Sequence, residues 1–418
     1  MPIETIQFRD LKRQYQKLKN EIDQRINTVI ASSRFINGPQ VKELESVLAE
    51  YTGRKHCITC ANGTDAISIA LMAYGVGEGD AVFVPDFTFF STGECPATLG
   101  ATPVFVDVLP STYNIDAQSL EKEIEKVIAE GALIPKAVIA VDLFGQPFDY
   151  SRIREVCDRY RLLLLEDAAQ GFGGSYTLHK KTSVFNEEFK AGTALRACKL
   201  GQISATSFFP AKPFGCYGDG GAIFTDDDRV DKLCRSIAVH GKDTESLDDP
   251  NAKYNNVRLG MNSRLDTLQA AILLAKFPCF QDFELEKVNW AADIYTRQLS
   301  GIEGLKLPAL EAGCFSSWAQ YTIQLPSKVD RYKIQSKLNS QGIPTNIYYS
   351  KPMHKQRAFE STRSPIADCA VTEKLCSTVL CLPIHPYLEE AEVEYIAKKV
   401  KDSIVEESSR SICKKLQK

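Results

Sequence analysis

Short apolar segments alternate with helical segments along the first half of the chain, and this alternation limits the possible folds more than any other feature. The apolar segments are hydrophobic at consecutive positions, as strands buried on both faces are. The stretches between them, such as SLEKEIEKVIAEG and DYSRIREVCDRY, are predicted to be helices. The pattern therefore predicts a mostly parallel sheet flanked by helices. The strand-like segments are HCITCA, DAVFVP, TPVFVDV, KAVIAVDLFG and RLLLLEDAA.

The pattern changes after about Arg264, where the long helical segment RLDTLQAAILLAKF begins. A mixed stretch with AQYTIQLP and DRYKIQSKLNSQG follows beyond about Ser316. The chain has 418 residues, which is enough for two domains. We predict a large α/β domain at 1–265, opening with an amphipathic helix from Leu11 to Val29. The region 266–418 is predicted to hold a helical connection and a smaller C-terminal α+β domain.

The charge balance gives no reason to expect a nucleic acid or a membrane as a partner. Lysine plus arginine amounts to 50 residues and aspartate plus glutamate to 53, so the formal net charge is −3. No apolar run approaches the roughly 18 residues of a membrane span, and MPIETIQFRDLKRQYQ lacks the apolar core of a signal peptide. The 13 cysteines are scattered, mostly in apolar contexts that suit reduced thiols. We therefore predict a cytoplasmic protein.

One CxxC pair, Cys57 and Cys60, lies in the predicted strand HCITCA. A metal or redox site would need a second pair or a helix that begins at the motif. Residues three apart in a strand point to opposite faces of the sheet. The spacing therefore favours two packed cysteines over a metal site.

The residues that follow the predicted strands are candidates for ligand contacts, because ligands gather at the carboxyl ends of parallel strands. Asn62, Gly63 and Thr64 follow HCITCA and open a helix. Free N–H groups at a helix start, with the Thr64 hydroxyl, would form an anion site. A helix cap with nothing bound explains the same residues equally well.

Asp167 follows the four leucines of a second strand, and Gln170 comes three residues later. A carboxylate at this point is costly to bury without a partner. It could cap the next helix, or it could hold its charge for a cationic atom of a ligand. The sequence of this segment leaves both interpretations open.

Lys212 is the one charged residue between Ser204 and Tyr217, in SATSFFPAKPFGCY. Burial among aromatic and small residues would lower its pKa, and such a lysine is a nucleophile towards carbonyl groups. The glycines of GCYGDGG lack the GxGxxG spacing and lead into a strand, which argues against a dinucleotide loop. An isolated lysine, an acid at a strand end and an anion pocket together match the groups that hold pyridoxal 5′-phosphate.

The chain resembles the DegT/DnrJ/EryC1/StrS family of sugar aminotransferases, which are pyridoxal-phosphate enzymes of fold type I. The resemblance extends from FINGPQVKELE to CLPIHPYL and so covers most of the chain. It implies an aspartate-aminotransferase-like fold. The matching motifs, in chain order, are ANGTDAISIAL, VPDFTFFST, GATPVFVDV, LEDAAQGFG, TSFFPAKPFGCYGDGGAIFT and GMNSRLDTLQAAI.

The resemblance implies roles for individual residues. Lys212 would be the catalytic lysine that forms the Schiff base, and Asp167 would pair with the pyridinium nitrogen. The other implied cofactor contacts are Gly63, Thr64 and Ser207 at the phosphate, Phe89 on the ring face, Gln170 at the ring hydroxyl, and Asn262 reaching the phosphate of a neighbouring subunit. The implied substrate contacts are Arg264, Tyr348, Tyr349 and His354. Phe89 and the tyrosines could instead be core aromatics, and Arg264 could cap a helix or lie in an interface.

The implied function is transfer of an amino group, with glutamate as the donor, to a nucleotide-linked keto sugar for surface polysaccharide or glycan synthesis. The motif SFFPAKPFGCYGDGG is most similar to the corresponding motif of family members that use UDP-linked 3-keto sugars. A shared active site would make the enzyme a homodimer. A sugar dehydratase of the same fold is one alternative, but such relatives carry histidine where Lys212 stands. A regulatory protein that binds the cofactor without catalysis is the other.

One segment departs from the family pattern. The residues 178–197, LHKKTSVFNEEFKAGTALRA, form an insertion where the family has a short loop. The segment mixes charged and apolar residues, so it could pack at a subunit interface or cover the site. We assign no catalytic role to His179 within it.

Overall fold

A seven-stranded sheet lies at the centre of the computed structural model, which describes residues 6–184, 187–243, 255–362, 364–365 and 367–416. Six of its strands are parallel, and the strand after the Lys212 loop runs antiparallel to both neighbours. The predicted mostly parallel sheet is therefore confirmed. The strands, in spatial order, are β1 His56–Cys60, β11 Gly221–Thr225, β10 Ile203–Ser207, β5 Leu163–Asp167, β4 Ile134–Val141, β2 Asp80–Pro85 and β3 Thr102–Val106.

Helices cover both faces of this sheet. Most begin at a residue whose side chain caps the first turn, such as Asn62, Asp116 and Asp227, which satisfies N–H groups that lack a partner within the helix. The helices up to the last third of the chain are α1 Leu11–Ser32, α2 Pro39–Thr52, α3 Gly63–Ala73, α4 Ser91–Thr98, α5 Ala117–Glu130, α6 Tyr150–Tyr160, α7 Asp228–Ile237 and α8 Thr267–Cys279.

The two cysteines of the CxxC pair lie on opposite faces of β1, as predicted. Cys57 packs with Phe172, while Cys60 packs with Ile67 in a separate hydrophobic cluster. Both thiols are buried, and burial raises their pKa values. These cysteines are therefore core residues.

A smaller α+β unit begins within the helix α9, Leu285–Leu299. Its two-stranded antiparallel sheet packs against the helices α10, Arg331–Ser340, and α12, Glu390–Leu416, and Tyr321 and Leu382 lie in its core. Residues of α8 pack with the large sheet, whereas Val288 of α9 belongs to the smaller core. The division at residue 265 stays a prediction. The elements of this part are α9 Leu285–Leu299, β13 Tyr321–Gln324, α10 Arg331–Ser340, α11 Ala370–Thr378, β14 Val379–Leu382 and α12 Glu390–Leu416.

The insertion at 178–197 forms a small antiparallel structure beside the main sheet. Leu178 and Leu195 pack into the hydrophobic cluster under α5 and α6. Phe185 and Asn186 lie outside the described residues. The predicted roles of the insertion, at an interface or over the site, stay predictions. Its strands and their partners are β6 Ser175–Thr177, β7 Thr182–Val184, β8 Glu187–Phe189, β9 Ala194–Arg196 and β12 Cys314–Phe315.

None of the helices in the described part of the chain combines the length and the apolar character that crossing a bilayer requires.

Candidate active site

Three of the predicted site segments meet at the carboxyl edge of the main sheet. Asp167 ends β5, and in the parallel register it lies opposite Ala205 of the neighbouring strand β10. Ser207 ends β10 and pairs with Gly221 of β11, which also pairs with Cys60 at the end of β1. The topology thus brings the helix start after β1 beside the ends of β5 and β10.

The start of α3 lies directly against Ser207. The Asn62 side chain accepts a hydrogen bond from the Asp65 N–H at 2.8 Å, so the predicted cap is present. In the described part of the chain, the N–H groups of Gly63 and Thr64 have no protein acceptor. A Cβ atom on Gly63 would lie 2.7 Å from the Ser207 Cβ, closer than carbon atoms approach. Only glycine allows this spacing, and two free N–H groups beside a hydroxyl suit a phosphate.

Asp167 is a buried carboxylate at the same edge. It accepts hydrogen bonds from the Ala169 N–H at 3.1 Å and from the Thr92 hydroxyl at 3.3 Å. No helix begins after it, because the following residues form turns, so the helix-cap interpretation is wrong. Burial raises the pKa of the Asp167 carboxyl, and these two hydrogen bonds oppose that effect. Among the described residues it forms no salt bridge, which leaves its charge available to a cationic ligand atom.

Lys212 lies in the loop between β10 and β11. Its N–H donates to the Phe209 carbonyl at 2.8 Å, which closes a turn. Burial of the side chain lowers the pKa of the Lys212 ammonium, and the negative charge of Asp167 partly offsets this effect. The Asp167 charge thus acts on the Lys212 amine. A lysine in this environment loses its proton more readily and is a better nucleophile.

Gln170 is buried and already has two partners. Its Oε1 accepts a hydrogen bond from the Phe144 N–H at 2.6 Å, and its Nε2 donates to the Tyr349 hydroxyl at 3.3 Å. The ring of Tyr349 also makes an edge contact with Phe87. The amide keeps a second N–H on Nε2, which can donate a hydrogen bond to a ligand oxygen. Sequence reasoning placed Gln170 and Tyr349 in the site separately, and the structure joins them.

Phe89 is not a core residue, since 53% of it is exposed. It precedes α4, whose Thr92 donates to Asp167, so it lies near the carboxylate. Phe209, in the Lys212 loop, is also half exposed. Two exposed aromatic rings at this edge suit a flat ligand that stacks.

His354 is held by a buried acid that sequence reasoning missed. The Asp86 carboxylate accepts from the His354 N–H and lies 2.7 Å from its Nδ1. This hydrogen bond raises the pKa of His354, and Glu373 lies 3.5 Å from its Nε2. Asp86 directly follows β2, so inspection of every strand end could have found it. Cys369 is close to both Asp86 and His354.

Asn262 and Arg264 lie on the surface of the single chain. The Arg264 guanidinium donates to the Asn262 Oδ1 at 2.6 Å. Between them, the buried Ser263 hydroxyl accepts a hydrogen bond from the Ala61 N–H at 3.0 Å. The segment GMNSR is therefore docked beside the start of α3, while the Asn262 side chain is exposed.

Comparison with known proteins decides the family. The sequence profile described as the DegT/DnrJ/EryC1/StrS aminotransferase family matches residues 16–401. The chain belongs to this family. Its members are pyridoxal-phosphate-dependent aminotransferases, so the predicted enzyme class and cofactor are confirmed.

Named relatives match over nearly the whole chain. A UDP-2-acetamido-2-deoxy-3-oxo-D-glucuronate aminotransferase of Pseudomonas aeruginosa is 42% identical, over 94% of this chain and 98% of the relative. A UDP-N-acetyl-3-dehydro-alpha-D-glucosamine 3-aminotransferase of Acidithiobacillus ferrooxidans is 34% identical, over 93% and 95%. A protein of Geobacillus stearothermophilus described as a pleiotropic regulatory protein is 40% identical, over 94% and 96%.

Solved structures show the same fold. A DegT/DnrJ/EryC1/StrS aminotransferase from Brucella abortus is 43% identical and superposes with a TM-score of 0.86, over 96% of this chain and 99% of that one. NtdA from Bacillus subtilis, solved with bound cofactor PMP, is 28% identical with a TM-score of 0.81, over 97% and 86%. The predicted fold is therefore confirmed.

The residues at the sheet edge fit the cofactor of this family. The phosphate of pyridoxal phosphate is an anion, and the α3 start offers unpaired N–H groups and hydroxyls in a space that a Cβ would fill. The ring nitrogen is a cation when protonated, and Asp167 is a buried carboxylate without an ion-pair partner among the described residues. Lys212 is an amine with a lowered pKa. Each part of the cofactor thus has a complementary group.

Proposed function

We propose that the enzyme transfers an amino group, supplied by glutamate, to the ketone of a nucleotide-linked sugar, and that the acceptor is a UDP-linked 3-keto sugar. The observation that carries the proposal is the meeting of Lys212, Asp167 and the α3 start at one sheet edge. The printed names of the two UDP-sugar relatives, at 42% and 34% identity, support the choice of acceptor. We further propose that the product serves polysaccharide or glycan synthesis in the cytoplasm.

Pyridoxal phosphate supplies an electron-accepting ring and an aldehyde that binds amines. The N–H groups of Gly63 and Thr64, with the Ser207 hydroxyl, would hold its phosphate. Phe89 would cover one face of its ring, and the free N–H of Gln170 would reach the ring oxygen. These contacts fix the orientation of the reacting atoms, which lowers the entropic part of the barrier.

Two charged side chains perform the proton chemistry. Asp167 would keep a proton on the ring nitrogen, because an adjacent negative charge favours the cationic form of that nitrogen. Lys212 would remove a proton from the amine-bearing carbon of the donor and, in the second half of the reaction, deliver a proton to the sugar carbon that receives the nitrogen. This role as general base and then general acid needs a pKa lowered from that of a free lysine. The structure supplies that condition through burial.

The two alternatives are less well supported. A dehydratase of this fold carries histidine at the position of the lysine, and Lys212 is present here. The name of the Geobacillus relative favours a regulatory role. A protein that only bound the cofactor would need no amine with a lowered pKa beside a buried acid.

We propose that the working unit is a homodimer in which Asn262 serves the phosphate site of the partner subunit. Exposed apolar side chains occur in and beside the segment that carries this asparagine. Phe35 and Ile36 are 45% and 48% exposed and lie beside residues 266–267, and Leu259 is 89% exposed three residues before Asn262. A patch of this kind commonly marks a protein interface.

The test is a screen of nucleotide-linked keto sugars with glutamate as the donor. We expect an amino sugar and 2-oxoglutarate to form with a UDP-linked 3-keto sugar. The matched control is Lys212→Ala, which removes the amine and should form neither product. Turnover by this variant at the wild-type rate contradicts the assignment of Lys212, and turnover only with dTDP-linked or 4-keto sugars contradicts the proposed acceptor.

A further inference from the structure

Two cationic side chains lie behind the loop that carries Lys212. The Arg9 guanidinium donates a hydrogen bond to the Lys212 carbonyl at 2.8 Å. Lys276 of α8 is 2% exposed, and its Nζ donates to the Gly215 carbonyl. Both carbonyls belong to one short loop between β10 and β11, so two separate parts of the chain hold its backbone.

A buried carboxylate offsets part of this positive charge. Glu284 lies between α8 and α9, is 4% exposed, and accepts hydrogen bonds from Gln14 at 2.7 Å and from Tyr387. Its negative charge acts on both cations. Burial lowers the pKa of Lys276 to about 8 in spite of this carboxylate. Such burial is costly, and packed apolar residues would give comparable stability.

The segment around Arg9 also contacts the smaller unit. Ile6 packs in its core. Arg13 forms an ion pair with Glu392 of α12 at 2.8 Å and donates to the Tyr387 carbonyl at 2.9 Å. Contacts of Ile6 before Arg9 and of Arg13 after it therefore hold this segment in place, and the Arg9 guanidinium extends from it to the loop that carries Lys212.

We propose that Arg9 and Lys276 are positioning residues, which fix the loop of Lys212 through its carbonyl groups, and that Glu284 compensates their charge. The inference rests on the proposed function, because that function makes Lys212, which this loop carries, the catalytic amine. The hydrogen bonds from Arg9 and Lys276 fix the backbone of this loop. A fixed backbone limits the directions in which the Lys212 side chain can point, and that side chain must reach the reacting carbon atoms.

Arg9 has a second, electrostatic effect on Lys212. Within the described part of the chain, the charged groups that act on the Lys212 amine are Asp167, which raises its pKa, and Arg9, which lowers it. Lys276 is not among them. Loss of the Arg9 charge should therefore favour the protonated nitrogen, whereas loss of Lys276 should loosen the loop without this effect.

The test uses the full-length protein loaded with pyridoxal phosphate. The first measurement is the pH midpoint of the cofactor's visible absorption, which reports the proton on the nitrogen that Lys212 supplies. We expect Arg9→Met to move this midpoint to higher pH and to lower kcat more than it changes KM. Arg9→Lys keeps the charge and should restore the midpoint. Lys276→Met should lower kcat and leave the midpoint unchanged.

Two controls separate this role from general stability. Arg152→Met removes an arginine on α6 whose side chain is 74% exposed, and it should change neither quantity. The double variant Arg9→Met with Glu284→Gln keeps the net charge of the wild type, and the glutamine keeps an oxygen that accepts from Gln14 and Tyr387. The midpoint of this double variant should move to higher pH as far as that of Arg9→Met alone. Unchanged midpoints and kcat in the folded Arg9 variants overturn the proposal.

A third measurement distinguishes failure of this inference from failure of the proposed function. Borohydride reduction followed by peptide mass spectrometry identifies the lysine that carries the cofactor. If Lys212 carries it and the Arg9 variants behave as wild type, the positioning role is wrong and the proposed function stands. If another lysine carries the cofactor, the role proposed for Lys212 in the reaction is wrong, and this inference fails with it, whereas absence of an amino sugar in the substrate screen contradicts the proposed function.

Discussion

At the scale of single residues, the candidate site depends on Asp167, a buried carboxylate that forms no ion pair within the described part of the chain. The charge of Asp167 costs free energy in the protein alone, and a cationic ring nitrogen would recover it. The surroundings of Asp167 are therefore more favourable when a cationic ligand is bound than in the protein alone. A structural carboxylate such as Glu166 differs in its number of hydrogen bonds, since it accepts them from the Cys198, Leu200 and Gly201 N–H groups and from the Ser204 hydroxyl.

Replacement of Asp167 by asparagine tests this difference. Asp167→Asn keeps the shape and the acceptor for the Ala169 N–H but removes the charge. We expect the transamination rate to fall by roughly a hundredfold or more, as when one preorganised electrostatic group is lost. Thermal unfolding of the cofactor-free protein should change little, or shift upward, because an unpaired charge has gone. A near-normal rate would show that the carboxylate only closes a turn.

The pair of Asp86 and His354 should make stability depend on pH. Its hydrogen bond raises the pKa of His354 above the ordinary value of about 6.5. The pair therefore contributes fully below that ordinary value, and its contribution is lost as pH rises through the raised pKa. We expect Asp86→Asn to lower the free energy of unfolding more at about pH 5.5 than at about pH 9. Urea unfolding at both pH values measures this difference.

The matched control for this pair is the same change in a His354→Gln background. Lys355 and Glu373 also act on His354 and remain in both proteins. In that background the loss caused by Asp86→Asn should be equal at the two pH values. A loss that depends on pH in both backgrounds would assign the effect to another group.

At the scale of elements, the position of α3 against β10 depends on one glycine. Gly63→Ala would place a Cβ 2.7 Å from the Ser207 Cβ, which forces the helix start away from the strand end. We expect weaker binding of pyridoxal phosphate and a stability loss of about 1–3 kcal/mol, the usual cost of overpacking. Titration of the cofactor-free protein and thermal unfolding measure the two effects.

Gly77→Ala is the matched control, since the nearest heavy atom to its added Cβ would be 3.8 Å away. It should bind the cofactor as wild type does. Equal binding by Gly63→Ala and the wild type would mean that the phosphate is held elsewhere.

The strands and helices of the main sheet were predictable from sequence because their patterns are local. The apolar runs became β2, β3, β4 and β5, and Asp167 was found because it directly follows such a run. Asp86 follows β2 in the same way, but its partner His354 is 268 residues away. Sequence spacing gives no information about such a pairing, and the same holds for Arg9 and the Lys212 carbonyl.

At the scale of the whole molecule, the two hydrophobic cores show why the domain boundary is harder to predict than the sheet. Helix α8 begins just after the predicted boundary, yet Leu273 packs with the large sheet, and the smaller core starts within α9. The change in sequence pattern near Arg264 marks the end of the strand–helix alternation. This change does not by itself locate the start of the smaller core, because helices that cover a sheet resemble helices that connect two units.

A mixing experiment tests whether the site is shared between subunits. Lys212→Ala removes the amine, and Asn262→Asp places a negative charge against the phosphate of the partner site. Each variant alone should be inactive, the second because it replaces a hydrogen bond worth roughly 1.5–3 kcal/mol with repulsion. A mixed dimer has one site with both defects and one with neither, so activity should reappear on mixing.

Random exchange of subunits in an equal mixture of the two variants should restore about a quarter of the active sites of a two-fold dimer. If activity stays absent although the subunits exchange, or if the active species sediments as a monomer, Asn262 acts within its own subunit. The exposed Phe35, Ile36 and Leu259 then need another partner.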